Sequence, residues 1–155
     1  MTSVYVVRHA IAEERGTDRW PDDAKRPLTK KGEESFREAA RGLRTIAPAV
    51  DVVLSSPYVR AWQTAEILQE EAGWPPPEPC EALEADRSPS DALVVVRGRG
   101  RVAAVGHEPL LSGLASLLLG TSVPIDFKKG GVVLVEDGVL RWYATPKILR
   151  GLSPR

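Results

Sequence analysis

Only two histidines occur in the chain, and each ends an apolar run: His9 follows "VYVVR" and His107 follows "VAAVG". Arg8 stands directly before His9, and Arg60 lies just beyond a further apolar run, "DVVLSSP". A guanidinium presents a planar fork of donors that fits a phosphate. A neutral imidazole can attack phosphorus and carry the phosphoryl group covalently. Cationic donors stabilise the equatorial oxygens that hold charge in the transition state. Two histidines and two arginines brought together would therefore form a phosphoryl-transfer site that needs no metal. The residues alone leave a second reading open, in which each histidine is a satisfied core or loop residue at a strand end. A zinc site fits less well, because neither histidine has an adjacent cysteine and the carboxylates are scattered.

The elements around these residues must bring them together. "SVYVV" (3–7) is β-branched and aromatic and predicts a buried strand. Residues 11–27 hold charges, Gly16, Pro21 and Pro27 without a period, and predict a long loop of the kind that lines a site. Thr29 can cap a helix running to about Ile46, with Phe36, Ala39, Ala40, Leu43 and Ile46 on one face and Pro48 marking its end. Val50 to Leu54 reads as a second strand. Ser56 and Pro57 read as the N-cap and first residue of a helix that reaches about Ala72 and stops at Gly73, with Val59, Trp62 and Ile67 near one face. "GWPPPEPC" has four prolines in eight residues, which predicts no regular structure.

In 88–97, "ALVVV" has strand composition, but Ser88, Pro89 and Asp91 make a capping-box-like start, and a helix there keeps a strand–helix–strand rhythm with a strand at 101–106. Pro109 to Leu119 predicts a helix with Leu110, Leu114, Leu117 and Leu118 as its buried stripe and Gly120 as terminator. "GGVVLVEDGVLRWYATP" predicts a hairpin turning at Asp137-Gly138. Trp62 and Trp142 fit core positions, and Trp20 fits a loop-packing one. The sum is a layered α/β fold with a mostly parallel sheet. Ligands of such sheets sit beyond the carboxyl ends of the strands. Arg8, His9 and His107 fall at two such ends, and Ser55 and Ser56 at a third, with Arg60 one turn into the helix beyond.

With 155 residues, 43% of them hydrophobic, the chain predicts one domain, 1–155, with a real core. Lys+Arg and Asp+Glu balance at 21 each, which gives no global argument for a nucleic-acid or membrane partner. The single Cys80 excludes an internal disulfide. No signal-like N-terminal run occurs, and "LLSGLASLLLG" is too short to span a bilayer. A soluble cytoplasmic monomer is the default expectation.

Four blocks, in order, resemble the histidine phosphatase superfamily, which includes phosphoglycerate mutase relatives. "VRHA" (Val7 to Ala10) looks like its Arg-His-Gly signature, with Ala10 in place of the glycine. "RPLTKKG" (Arg26 to Gly32) resembles the opening of its first helix, "LSSPYVRAWQTAE" (Leu54 to Glu66) its Ser-x-x-x-Arg-x-x-x-Thr-Ala block, and "VAAVGHEP" (Val102 to Pro109) its second-histidine block. The short chain and "FKKGG" (Phe127 to Gly131) are similar to the small bacterial branch of phosphohistidine phosphatases.

The resemblance implies a phosphoglycerate mutase-like fold, three-layer α/β/α with a mostly parallel mixed sheet. It implies a phosphatase working without cofactor or metal. His9 would be the nucleophile, Arg8 and Arg60 would clamp the phosphoryl oxygens, and His107 would donate to the transferring group. Ser56 would bind substrate or only cap its helix. Larger relatives carry an acidic proton donor between the second arginine and the second histidine; here Glu81, Glu84 and Asp86 are available, and Glu84 is the choice, although all three also fit a solvated acidic loop.

Lys128 and Lys129 read as a turn with solvent-facing lysines or as a basic rim for an acidic or phosphorylated partner, which Arg15, Arg19 and Arg26 could join. The implied substrate is phosphohistidine in a protein, such as a histidine phosphotransfer domain. A small phosphate ester and a non-catalytic phosphoprotein-binding module are the alternatives.

Overall fold

The computed structural model describes residues 2–16 and 18–155, so Met1 and Thr17, the latter within the expected early loop, lie outside the described residues. Six strands form one sheet: β1 (Ser3–Arg8), β2 (Val52–Ser55), β3 (Pro77–Pro79), β4 (Arg101–Gly106), β5 (Val132–Glu136) and β6 (Val139–Ala144). Their spatial order is β3-β2-β4-β1-β5-β6. β1, β2, β3 and β4 pair in parallel, while β5 joins β1 and β6 antiparallel. The sheet is thus mixed and mostly parallel.

Five helices cover its faces: α1 (Lys30–Ile46), α2 (Val59–Ala72), α3 (Pro89–Val96), α4 (Leu110–Leu119) and α5 (Pro146–Gly151). The pleat sorts the side chains between two cores. Tyr5, Val7, Ala103, Val105 and Leu134 join the core under α1, α2 and α5. Val4, Val6, Val102, Ala104 and Val133 join the core under α3 and α4. Both faces of the central strands are buried, which accounts for their continuous apolar runs. The result is the three-layer α/β/α arrangement.

Local chemistry sets the helix ends. Thr29 caps α1 by accepting a hydrogen bond from the Gly32 amide. Gly32 also admits a close neighbour, since a Cβ there would lie 2.3 Å from the Ile11 carbonyl oxygen. That contact, with the Thr29 amide donating to the same oxygen at 3.0 Å, ties α1 to the segment just beyond His9. Gly73 and Gly120 end α2 and α4 with φ near 74° and 73°. The β5–β6 turn places Asp137 at φ 48° and Gly138 at 80°, the hairpin turn expected of this pair.

Several expectations need correction. α2 begins at Val59, not at Ser56-Pro57, with Tyr58 at its N-cap. Its buried face carries Arg60, Ala61, Thr64, Ala65, Ile67 and Leu68, so Val59 and Trp62 are only half-buried. Trp74 is the fully buried tryptophan, donating its Nε1–H to the Ala47 carbonyl at 2.9 Å. On α1, Ile46 is exposed, and on α4 Leu111 and Ala115 replace Leu117, which is 43% exposed, in the buried stripe. The proline-rich stretch contains β3, a short strand at the sheet edge. The tail carries α5, started by Thr145 as N-cap and Pro146. No helix among the described residues is long and apolar enough to cross a membrane.

Candidate active site

The carboxyl ends of β1, β2 and β4 open into a cleft of about 820 Å³. Arg8, His9, Arg60 and His107 all line it, together with Arg15, Asp23 and Arg26 from the early loop, Asp86 from the segment after β3, and Lys129. His9 is 6% exposed, His107 3% and Arg60 1%. The two imidazoles lie 5.3 Å apart between ring centroids.

Backbone contacts hold the His9 end of β1. The His9 amide donates to the Gly106 carbonyl at 3.0 Å, and the Gly130 amide donates to the Arg8 and His9 carbonyls at 3.0 and 2.9 Å. "FKKGG" is therefore a turn fastened to the His9 backbone. Ala10 is buried and does not belong to the left-handed residues, so this position does not demand a glycine. The Ala10 amide donates to Thr64 Oγ1 at 3.0 Å, and the Thr64 hydroxyl donates to the Arg60 carbonyl at 2.8 Å. One buried hydroxyl thus links the segment just after His9 to α2.

His9 Nδ1 lies 2.7 Å from the Ala10 carbonyl oxygen. A carbonyl only accepts, so Nδ1 carries the proton and Nε2 keeps its lone pair. Burial, with added repulsion from His107, Arg60 and Arg8, lowers His9 to about 3, outweighing the opposite pull of the Ala10 hydrogen bond. His107 is likewise lowered to about 3, first by burial and then by Arg60, with Asp23 pulling the other way. Both rings are neutral near pH 7.

His107 Nε2 lies 2.8 Å from Ser56 Oγ. That oxygen also accepts from the Tyr58 amide at 3.2 Å, so the Ser56 hydroxyl ties the His107 ring to the start of α2. The Tyr58 ring meets His107 edge-on at 5.1 Å and lies 5.2 Å from the Arg60 guanidinium carbon. Among the described residues, four buried side-chain N or O atoms lack a hydrogen-bond partner, and three of them are Arg8 Nε, Arg60 Nε and His107 Nδ1. All three belong to side chains that line the cleft.

The remaining expected residues fall elsewhere. Ser56 is fully buried beneath His107 and does not line the cleft. It is neither a helix cap nor positioned to touch a ligand there. Glu84 does not line the cleft either; its carboxylate accepts from Arg87 Nη2 at 2.9 Å. Asp86, one of the other two acids of that segment, does line it. Lys128 pairs with Asp126 at 2.9 Å in an adjoining groove, whereas Lys129 borders both groove and cleft. Burial first, and then Arg8, Arg26, Arg15 and Arg60, hold the Lys129 ammonium below the usual lysine range.

Asp23 and Thr64 were not singled out by sequence reasoning. Thr64 stands in the "RAWQTA" block, one helical turn after Arg60, which was the available signal. Among the described residues, no cluster of three or more His, Cys, Asp or Glu is arranged to hold a metal ion.

A mostly parallel mixed sheet with an arginine–histidine cluster at its carboxyl edge has the chemistry to hold a phosphoryl group. The family model of the histidine phosphatase superfamily (branch 1) matches residues 4–85, and the chain belongs to that superfamily. An uncharacterized protein of Picosynechococcus sp. is 32% identical over 146 residues, covering 89% of this chain and 87% of its own. The fold is similar to that of the protein histidine phosphatase SixA complexed with tungstate, with TM-score 0.84, 24% identity, and coverage of 94% of this chain and 98% of that one. A chain from Agrobacterium tumefaciens assigned to SixA gives TM-score 0.82 at 21% identity over the same shares.

Proposed function

We propose that the protein removes phosphate from phosphohistidine in a protein, through a covalent phosphohistidine on His9. The observation that carries this reading is the set of three buried, unpartnered nitrogens, Arg8 Nε, Arg60 Nε and His107 Nδ1, around an imidazole whose Nε2 is unprotonated; His107 Nδ1 is a donor in the tautomer protonated there. Unsatisfied buried donors are costly and uncommon. A tetrahedral oxyanion supplies the acceptors they lack. The tungstate bound by the similar SixA structure is such an anion.

In the first step His9 Nε2 attacks phosphorus. The new P–Nε2 bond forms as the bond to the leaving group breaks, and the leaving group departs with that electron pair. In the second step water attacks phosphorus, the P–Nε2 bond breaks with its electrons returning to His9, and inorganic phosphate leaves. Arg8, Arg60 and His107 hold the oxygens throughout.

The leaving group decides the substrate class. An alkoxide needs a proton as it leaves. A protonated imidazole departs as neutral imidazole and needs none from the protein. Glu84 is turned to Arg87, the Glu108 carboxylate accepts from the Ser112 amide and hydroxyl, and Asp23 is held ionised by arginines. None of these three is a ready proton donor; Glu13, Glu14 and Asp86 also line the cleft, and the reading favours a phosphoramidate because that leaving group asks no proton of them. Lys129 borders the cleft and Lys128 the adjoining groove, where a phosphorylated protein would dock.

The test is phosphate release from a histidine-phosphorylated phosphotransfer protein beside p-nitrophenyl phosphate, with wild type and His9→Ala. Release from the phosphoprotein, reduced at least about a thousandfold in the variant, is the expected result. Release from the small ester alone would move the substrate to phosphate esters. No release from either, with unchanged phosphoprotein binding in His9→Ala, would make this a binding module.

A further inference from the structure

Asp23 is a cleft carboxylate bonded directly to Arg60, and the proposed chemistry leaves it without a task. It opens a short 3₁₀ turn, Asp23–Lys25, within the early loop. Its Oδ2 accepts from Arg60 Nη2 at 2.9 Å and its backbone carbonyl accepts from Arg60 Nη1 at 2.8 Å. Its Oδ1 accepts from Arg26 Nε at 3.0 Å and lies 4.0 Å from Arg15 Nε. Arg26 in turn donates from Nη1 to the Glu13 carbonyl at 2.6 Å, which ties both arms of the loop together. Although burial works the other way, Arg26 and Arg60 hold the Asp23 carboxyl below the usual carboxylate range.

A guanidinium has five N–H groups in a rigid plane. Asp23 takes one from each terminal nitrogen of Arg60 and so fixes the rotation of the fork. One N–H on each terminal nitrogen and the Nε–H are left over, and the Nε–H is buried and unpartnered. The same contact puts a negative charge on the cation that would receive a phosphoryl group. Among the described residues, Asp23 is the acid paired with each of Arg15, Arg26 and Arg60, which would otherwise stand together uncompensated.

We propose that Asp23 acts as an internal anion on Arg60: it fixes which edge of the guanidinium meets the bound oxyanion, and its charge keeps that oxyanion exchangeable. Asp23 is thus a positioning residue, and the inference rests on the cleft being a phosphoryl site. A phosphate held only by uncompensated arginines would bind tightly and leave slowly. Sharing Arg60 with a fixed carboxylate weakens the hold on product while preserving the geometry.

The experiment is calorimetric titration with inorganic phosphate on wild type, Asp23→Asn and Asp23→Ala, beside steady-state kinetics on p-nitrophenyl phosphate. The Asp23 side chain is 42% exposed, so both variants should fold, which their melting temperatures will verify. Both should bind inorganic phosphate at least about fivefold more tightly, because the competing charge is gone. Both should show kcat and KM falling together, with Asp23→Asn, whose amide oxygen keeps one arginine contact, retaining more turnover than Asp23→Ala. Phosphate affinity unchanged or weaker in both variants would overturn the proposal. A wild type that binds phosphate yet releases none from p-nitrophenyl phosphate or from the histidine-phosphorylated protein would sink the phosphatase reading alone, and the calorimetric difference would still decide the role of Asp23.

Discussion

The floor of the cleft and its rim are built by different means. Arg8, His9 and His107 end central strands, and Arg60 stands on the first turn of a helix packed against them. His9, Arg60 and His107 are nearly excluded from solvent, and neighbouring backbone or a buried hydroxyl orients each of the four. The rim comes from loops: Glu14, Arg15, Asp86 and Lys129 are exposed. A buried cluster on strand ends keeps its geometry as a consequence of the fold, which suits chemistry. A solvated rim can vary without disturbing that core, which suits recognition of a partner.

The sharpest way to test that division is to alter the floor without changing its charge. Arg8→Lys or Arg60→Lys keeps the cation but loses the planar fork, and kcat should fall by about a hundredfold. A loss under threefold in single-turnover assays would mean that charge alone suffices. Next in size is Thr64→Val, which leaves the buried Ala10 amide without an acceptor. Unfolding in denaturant should register a loss of about 1–3 kcal/mol, together with reduced turnover. Unchanged kinetics would show that the link between β1 and α2 does not position His9.

The neutral imidazoles give a pH signature. Both are lowered to about 3 in the fold, against about 6.5 in an unfolded chain. Between these values the unfolded state binds more protons, so the stability is fully present above about pH 6.5 and is lost as pH falls toward 3. Melting temperature should therefore drop between about pH 7 and pH 4, with a shallower slope in His107→Asn. The smallest effect belongs to the rim. Replacing Lys128 and Lys129 by alanine should raise KM for a phosphoprotein several-fold and leave p-nitrophenyl phosphate turnover nearly unchanged. Equal changes for both substrates would place those lysines in the phosphate site instead.

The same division governs what the sequence could reveal. β1 and β4 are long, β-branched or small-residue runs buried on both faces, so their ends, and the histidines there, are visible in the pattern alone. Ser56, Thr64 and Asp23 act through tertiary contacts: a histidine 51 residues away, an amide 54 residues away, an arginine 37 residues away. No local period encodes such partners. Ser56-Pro57 resembles a helix start so closely that its local signal pointed to a cap, whereas the hydroxyl serves His107. Glu84 is an acid in the segment where a donor is expected, but Arg87, three residues on, claims its carboxylate. α5 had a Thr-Pro start like other helix openings, yet only six residues of helix follow, too few for a period to show.

The prolines that hide β3 have one more effect. β3 pairs in parallel with β2 at one margin of the sheet, and the Cys80 amide donates inward to the Ser55 carbonyl at 2.8 Å. Amide directions alternate along a strand, so the outward-pointing positions are 77 and 79, and both are prolines without an N–H. That margin offers a newcomer strand no donors along β3, and the molecule is protected there against templated self-association into extended sheets.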